Sequence, residues 1–178
     1  VLMAKDCPQN LRKADSHAPA SLDVRLIAPS DNPAIADVIR RVSAEHGLSA
    51  DAGFSVADPT LDYLSEQYTH PHAAYWVIEA DRVILGGGGV APLPGHDGVC
   101  ELQKMYFLPA LRGKGIAKRL AVKAMDTARE WGYQRCYLET TANLTAAIAL
   151  YQSLGFVPCP RMGNTGHDSC EVTMIKVL

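Results

Sequence analysis

The chain has 178 residues, 48% of them hydrophobic and 20% charged, with a net charge of −2. That is the composition of one ordinary globular domain, large enough to bury about 70% of the surface its unfolded form would expose. It excludes recruitment of nucleic acid or an anionic membrane by bulk positive charge, and no apolar run approaches the ~18 residues of a spanning helix.

Residues 1–22 mix charges, Pro, Asn and Ala without periodicity. They read as a mobile N-terminal arm outside a single domain spanning 23–178, and they lack the apolar stretch of a signal peptide. Val24 to Ala28 is a first strand. A helix follows near Pro33, with Ile35, Val38, Ile39 and Val42 on one face and Gly47 at its end. Residues 48–60 are loop-like, and Leu61 to Tyr68 is a short helix candidate. Ala74 to Glu79 and Val83 to Leu93 are strands joined by a turn at Asp81-Arg82. The second of these carries four consecutive glycines, Gly86 to Gly89. So many glycines weaken a strand unless a bulky neighbour or a ligand comes close, or the chain bulges or bends there. Pro94 to Gly98 is a polar turn, and Val99 to Leu108 a strand in the middle of the chain. Residues 114–131 are helical, with Ile116, Leu120, Ala124, Ala128 and Trp131 on one stripe and Gly132 closing the end. Tyr133 to Thr140 is a strand and Thr145 to Leu154 a helix closed by Gly155, with Phe156 placed to pack back on it. Val157 to Pro160 and Cys170 to Val177 are the last strands. The order predicts an α/β fold, a mixed sheet with helices on both faces. The five cysteines are odd in number, widely spaced and form no C-x-x-C pair. They fit a reducing, cytoplasmic setting, with Cys100 and Cys136 as small core residues.

The stretch Arg112-Gly113-Lys114-Gly115-Ile116-Ala117 lies where a strand hands over to a helix. A glycine-rich turn opening a helix presents free N–H groups and the positive end of the helix dipole, a site for phosphate oxygens. It is not a nucleotide P-loop, because Leu108 stands where the first glycine should be and Gly115 where Ser or Thr should be. The dinucleotide fingerprint can be forced onto Gly86, Gly88 and Ala91, but Pro92 and Pro94 follow, so no helix starts there.

Arg112, Gly115 and Ala117 fit a third pattern, Arg/Gln-x-x-Gly-x-Gly/Ala. With Glu101–Pro109, Leu138–Thr141 and Ala149–Phe156, it resembles the GNAT superfamily of acyl-CoA-dependent N-acetyltransferases. The resemblance covers roughly residues 99–157 and extends more weakly back to Val24 and on to Leu178. It implies a mostly antiparallel central sheet and acetyl-CoA as cosubstrate, with no metal. The implied partner is a small-molecule amine acceptor, without nucleic acid or membrane, and a homodimer is compatible with it. A protein N-terminal or lysine acetyltransferase, or a non-catalytic acyl-CoA sensor, stands as the alternative.

By the same resemblance, the amides of Arg112, Gly113, Lys114, Gly115, Ile116 and Ala117 hold the pyrophosphate. The backbone of Met105, Tyr106 and Phe107 pairs with the pantetheine arm, and an amide there polarises the thioester carbonyl. Tyr151 is the proton donor to the leaving thiolate, and Glu101 the base that deprotonates the amine. Glu101 could instead lie on a solvated face or pair with Lys104 or Arg82, and Glu139 is a second candidate for the base. Asn143 either contacts the cofactor arm or caps the last helix. His167, Tyr63 and Tyr68 are candidates for the acceptor pocket. His70-Pro71-His72 is too short a constellation for a metal site, and no cysteine sits beside a histidine partner, so attack by the amine is expected to be direct.

Overall fold

The computed structural model describes residues 21–51 and 53–178, so most of the expected N-terminal arm, residues 1–20, lies outside the described residues. Among those described, seven strands form one sheet. They are β1 (Asp23–Leu26), β2 (Ala74–Ala80), β3 (Val83–Pro92), β4 (Val99–Phe107), β5 (Arg135–Thr140), β6 (Val157–Pro158) and β7 (Val172–Val177). Their order is β1-β2-β3-β4-β5-β7-β6, and every neighbouring pair is antiparallel except β4 with β5.

The helices are α1 (Asn32–Glu45), α2 (Ile116–Glu130) and α3 (Thr145–Ser153). Successive side chains of a strand face opposite ways, and β2 shows what this does. Tyr75 and Val77 pack with Ile35, Val38 and Ile39 of α1. Trp76 and Ile78 belong to the opposite layer, with Leu120, Ala121, Ala124 and Ala128 of α2. Helices therefore cover both faces, as expected. Cys100 and Cys136 are register partners of β4 and β5 and are fully buried. No helix among the described residues is long and apolar enough to cross a membrane.

Two elements depart from expectation. The segment Leu61–Tyr68 is a 3₁₀ helix broken at Tyr63. A distant side chain provides the reason: the Ser65 N–H donates to Asn32 Oδ1 at 2.9 Å, leaving the path of an i→i−4 helix. The second helix begins at Ile116 rather than 114, because Gly113 and Gly115 both adopt left-handed φ values of 71° and 72°.

The four glycines of β3 make room for neighbouring side chains. A Cβ on Gly87 would lie 2.6 Å from Tyr75 Cε1, and one on Gly89 would lie 2.7 Å from Cδ2 of the same ring. The Tyr75 ring thus lies across β3, and its hydroxyl donates to the Lys104 carbonyl of β4 at 2.9 Å. That carbonyl belongs to a bulge. Gly87 pairs with Tyr106 and Gly89 with Gln103, so β4 carries one extra residue, and Lys104 takes a φ of 49°. A bulge bends its strand and increases the local twist.

A methyl group on this strand collides with both the Tyr75 ring and the Trp76 carbonyl, which lies 2.7 Å from the Gly87 Cβ position. Gly87→Ala is expected to lower stability by roughly 1–3 kcal/mol. Thermal denaturation followed by circular dichroism checks this, and an unchanged Tm would mean the ring does not need the glycine surface.

Candidate active site

β4 and β5 pair only from Val99↔Arg135 to Glu101↔Tyr137. Past Glu101 the bulged β4 bends away, while β5 continues its pairing with β7 on its other side. The β4 backbone from 102 to 107 is left with an edge that no strand among the described residues covers. The gap holds a cavity of about 520 Å³. Met105, Tyr106 and Phe107 form one wall, and Asn143, Leu144, Ala147 and Tyr151 the other, with Gly113, Gly115, Ile116 and Ala117 at one end.

That end is the start of α2. Gly115 occupies the N-cap position and no side chain caps the helix. The first-turn N–H groups have no intrahelical acceptor, and the helix dipole adds positive potential. Nothing lies within 4 Å of a Cβ built on Gly113 or Gly115, so a ligand can approach the turn closely. Arg112 lines the cavity, where its Nε donates to the Phe107 carbonyl at 3.0 Å and its guanidinium pairs with Glu45 at 2.8 Å. The Lys114 ammonium donates to the Ala110 carbonyl at 2.8 Å, bracing the turn. Asn143 does not cap α3, whose N-cap position is Leu144 without a side-chain bond. Its amide instead donates to the His46 carbonyl at 3.2 Å and its oxygen accepts from the Thr141 hydroxyl, so it ties the end of α1 to the cavity wall.

Tyr151 reaches the cavity from the last full turn of α3. The chain leaving that helix doubles back in a Schellman turn: Phe156 N–H donates to the Tyr151 carbonyl and Gly155 N–H to that of Gln152, both at 3.0 Å. Phe156 meets the Tyr151 ring edge-to-face, with centroids 5.9 Å apart. Burial raises the Tyr151 phenol above its ordinary value, and the nearby Tyr106 and Cys136 add to the rise.

A second, smaller cavity of about 70 Å³ shares Met105, Tyr106 and Tyr151 with the first and reaches Lys104, Glu139 and Cys170. It leads from the large cavity toward a buried group of charges. Glu101 is only 4% exposed. Neither Lys104 nor Arg82 pairs with it; its carboxylate accepts from the Gln103 amide at 2.6 Å. Gln103 in turn accepts from the Tyr68 hydroxyl at 3.0 Å, which places Tyr68 at the site while Tyr63 is 60% exposed. Burial pushes the Glu101 carboxyl up; the Gln103 amide opposes this and the neighbouring Glu139 adds to it.

Glu139 is held on all sides, by Tyr137 at 2.7 Å, Thr165 at 2.6 Å and Arg161 at 3.1 Å. Carboxylate oxygens of Glu101 and Glu139 and a ring nitrogen of His167 all lie within 4.8 Å of one another. His167 Nε2 meets Asp58 Oδ1 at 3.1 Å, and the other Asp58 oxygen takes the Lys104 ammonium at 2.5 Å. With so many of these atoms already matched to protein donors, the group suits handling of protons better than chelation. Asp58, Gln103, Lys104 and Arg161 are additions to the sequence-derived set. A lysine inside an apolar strand was the one readable signal among them.

A profile of the acetyltransferase (GNAT) family matches residues 42–156. The chain is 58% identical over 163 residues to the N-acetyltransferase YjgM of Escherichia coli K12, covering 90% of this chain and 98% of that protein. An acetyltransferase of the GNAT family from Staphylococcus aureus Mu50 superposes with a TM-score of 0.78 at 19% identity, covering 89% of this chain and 99% of that one. The PaiA N-acetyltransferase of Thermoplasma acidophilum, solved in complex with coenzyme A, superposes with a TM-score of 0.68 at 17% identity, over 89% of this chain and 99% of that one.

A carboxyl raised by burial stabilises the fold only while protonated. Stability is full at low pH and falls as pH rises through the raised folded-state value. Glu101→Gln removes that loss. The variant is expected to exceed the parent in stability near pH 7 by on the order of 1 kcal/mol, roughly 3 °C in Tm, with the gap closing toward about pH 4. Parallel thermal melts across pH check this, and a variant less stable at every pH would mean the carboxylate is well compensated.

Proposed function

The chain belongs to the GNAT family of acetyltransferases and is an N-acetyltransferase; we propose that it moves an acetyl group from acetyl-CoA to the primary amine of a small molecule by direct attack. The observation that carries this reading is the single cavity joining the uncapped start of α2, the uncovered edge of β4 and Tyr151. Free amides at a helix start suit a pyrophosphate, and an uncovered strand edge suits the amide groups of a pantetheine arm, which can pair like an added strand. When bound, acetyl-CoA supplies the thioester.

The residues around it divide the work. The turn at 112–117 holds the phosphates, and the backbone of Met105 to Phe107 aligns the arm. An amide on the bulged part of β4 is placed to polarise the thioester carbonyl. Glu101, raised by burial and without a cation of its own, is suited to receive the proton of an incoming ammonium. Tyr151, kept protonated by burial, is suited to donate to the departing thiolate. The smaller cavity, bordered by Phe54, Ser55 and Cys170, adjoins the large one at Tyr151 and is the approach we assign to the acceptor.

Thiol release on mixing the protein with acetyl-CoA and a panel of amines tests the whole reading. Binding without release from any amine would favour an acyl-CoA sensor. Within the enzyme reading, Tyr151→Phe is expected to lower kcat by about 10²-fold while leaving acetyl-CoA affinity within about twofold; an unchanged kcat removes the donor role. Gly115→Asp places an anion where the helix dipole welcomes it and a phosphate does not. Calorimetric titration should show acetyl-CoA binding weakened at least about tenfold in a folded protein, and retained affinity would mean the phosphates sit elsewhere.

A further inference from the structure

A buried base must dispose of the proton it takes. Glu101 is 4% exposed, so its carboxyl has no direct route to water. Glu139 offers none, because its oxygens are occupied by Tyr137, Thr165 and Arg161. His167 does. One of its ring nitrogens lies within 4.8 Å of both carboxylates, a gap that one water spans. Its Nε2 is 3.1 Å from Asp58 Oδ1, and the Asp58 side chain is 23% exposed. A buried carboxyl, a nearly buried imidazole and a partly solvated carboxylate therefore lie side by side.

We infer that His167, positioned by Asp58, carries the acceptor's proton from Glu101 to solvent. The inference rests on Glu101 acting as the base. In the first step the acceptor's ammonium N–H bond breaks and an O–H bond forms on Glu101. In the second, that O–H breaks and an N–H forms on His167, restoring the carboxylate and leaving an imidazolium. The imidazolium then releases one proton to water, so no oxidant or further reactant is needed. Imidazole is the side chain suited to gain and lose a proton near neutral pH.

Charged groups surround His167. Asp58 faces His167 from the loop before the 3₁₀ segment, Glu101 and Lys104 from β4, and Glu139 from β5. From its own loop, Arg161 donates to the His167 carbonyl at 3.4 Å. Lys104 is committed to the other oxygen of Asp58 and fixes that carboxylate in place. Burial works against the Asp58 charge, yet the His167 hydrogen bond and the Lys104 ammonium hold its carboxyl below the usual range. Asp58 thus remains an anion oriented toward the imidazole.

Two measurements on the whole protein test this. The first uses acetyl-CoA with the most active amine of the panel. His167→Ala is expected to lower kcat by about 10–100-fold, leave the KM for acetyl-CoA within about twofold, and recover with added free imidazole. His167→Gln should fold like the parent, resist that rescue and lose a limb of the kcat–pH profile. Full activity in His167→Ala, or a loss that imidazole does not restore, overturns the relay. A wild-type rate in Glu101→Gln instead overturns the base reading beneath it. The second measurement needs no acceptor. The His167 ring resonance, identified by its loss in His167→Gln, should move at fixed pH in Glu101→Gln and in Asp58→Asn relative to the parent, because both groups lie against the ring. An unmoved resonance in Glu101→Gln means the two groups are not in contact and removes the relay.

Discussion

One phenol, laid across a strand of glycines, holds the reaction centre in shape. Tyr75 starts on β2, crosses β3 over Gly87 and Gly89, and ends on the Lys104 carbonyl of β4. A bulge leaves backbone groups out of register, and a buried carbonyl without a donor is destabilising by about 1–3 kcal/mol. The Tyr75 hydroxyl supplies that donor from two strands away. With the bulge held, β4 parts from β5 just after Glu101, and the cavity opens between them. The same bulge turns the Lys104 ammonium onto Asp58 and thereby sets the far end of the charge group. Backbone geometry at one residue thus shapes the large cavity and the charge cluster together.

The two ends of the site are built from different materials. The end proposed for the phosphates consists of backbone: left-handed glycines, an uncapped helix start and an uncovered strand edge. Such groups recognise phosphate and amide chemistry whatever the neighbouring side chains are. The end proposed for the acceptor consists of side chains drawn from four places, namely the Asp58 loop, β4, β5 and the loop that carries Arg161 and His167. Their geometry depends on loops meeting across the sheet.

This difference explains what could be read from the chain alone. The turn at 112–117 was legible as a strand-to-helix turn because its pattern is local: a strand, two glycines and a helix stripe follow one another within a few residues. Glu101 stood out as a carboxylate inside an apolar run, and Tyr151 through its place before Gly155-Phe156. The succession of strands and helices, and the helices on both faces, followed from periodicities of two and about 3.6. The glycine run was left open between a neighbour and a ligand, since nothing near it reveals that the ring of Tyr75, a cross-strand partner, lies over it. The 3₁₀ path of Leu61–Tyr68 depends on Asn32, a distant residue whose amide captures the Ser65 N–H. Asp58 sits in an irregular stretch without pattern, and its pairing with His167 spans 109 residues, beyond the reach of any local signal.

The exit turn of α3 has a consequence for Tyr151. The ring is secured from behind, by its own carbonyl in the Schellman turn and by the edge of Phe156. The hydroxyl at its tip is not what keeps it there. A side chain anchored through the group that reacts must let go of its anchor each time it gives up a proton. In the proposed donor role, Tyr151 changes its protonation without changing its place, and each cycle begins from the same geometry.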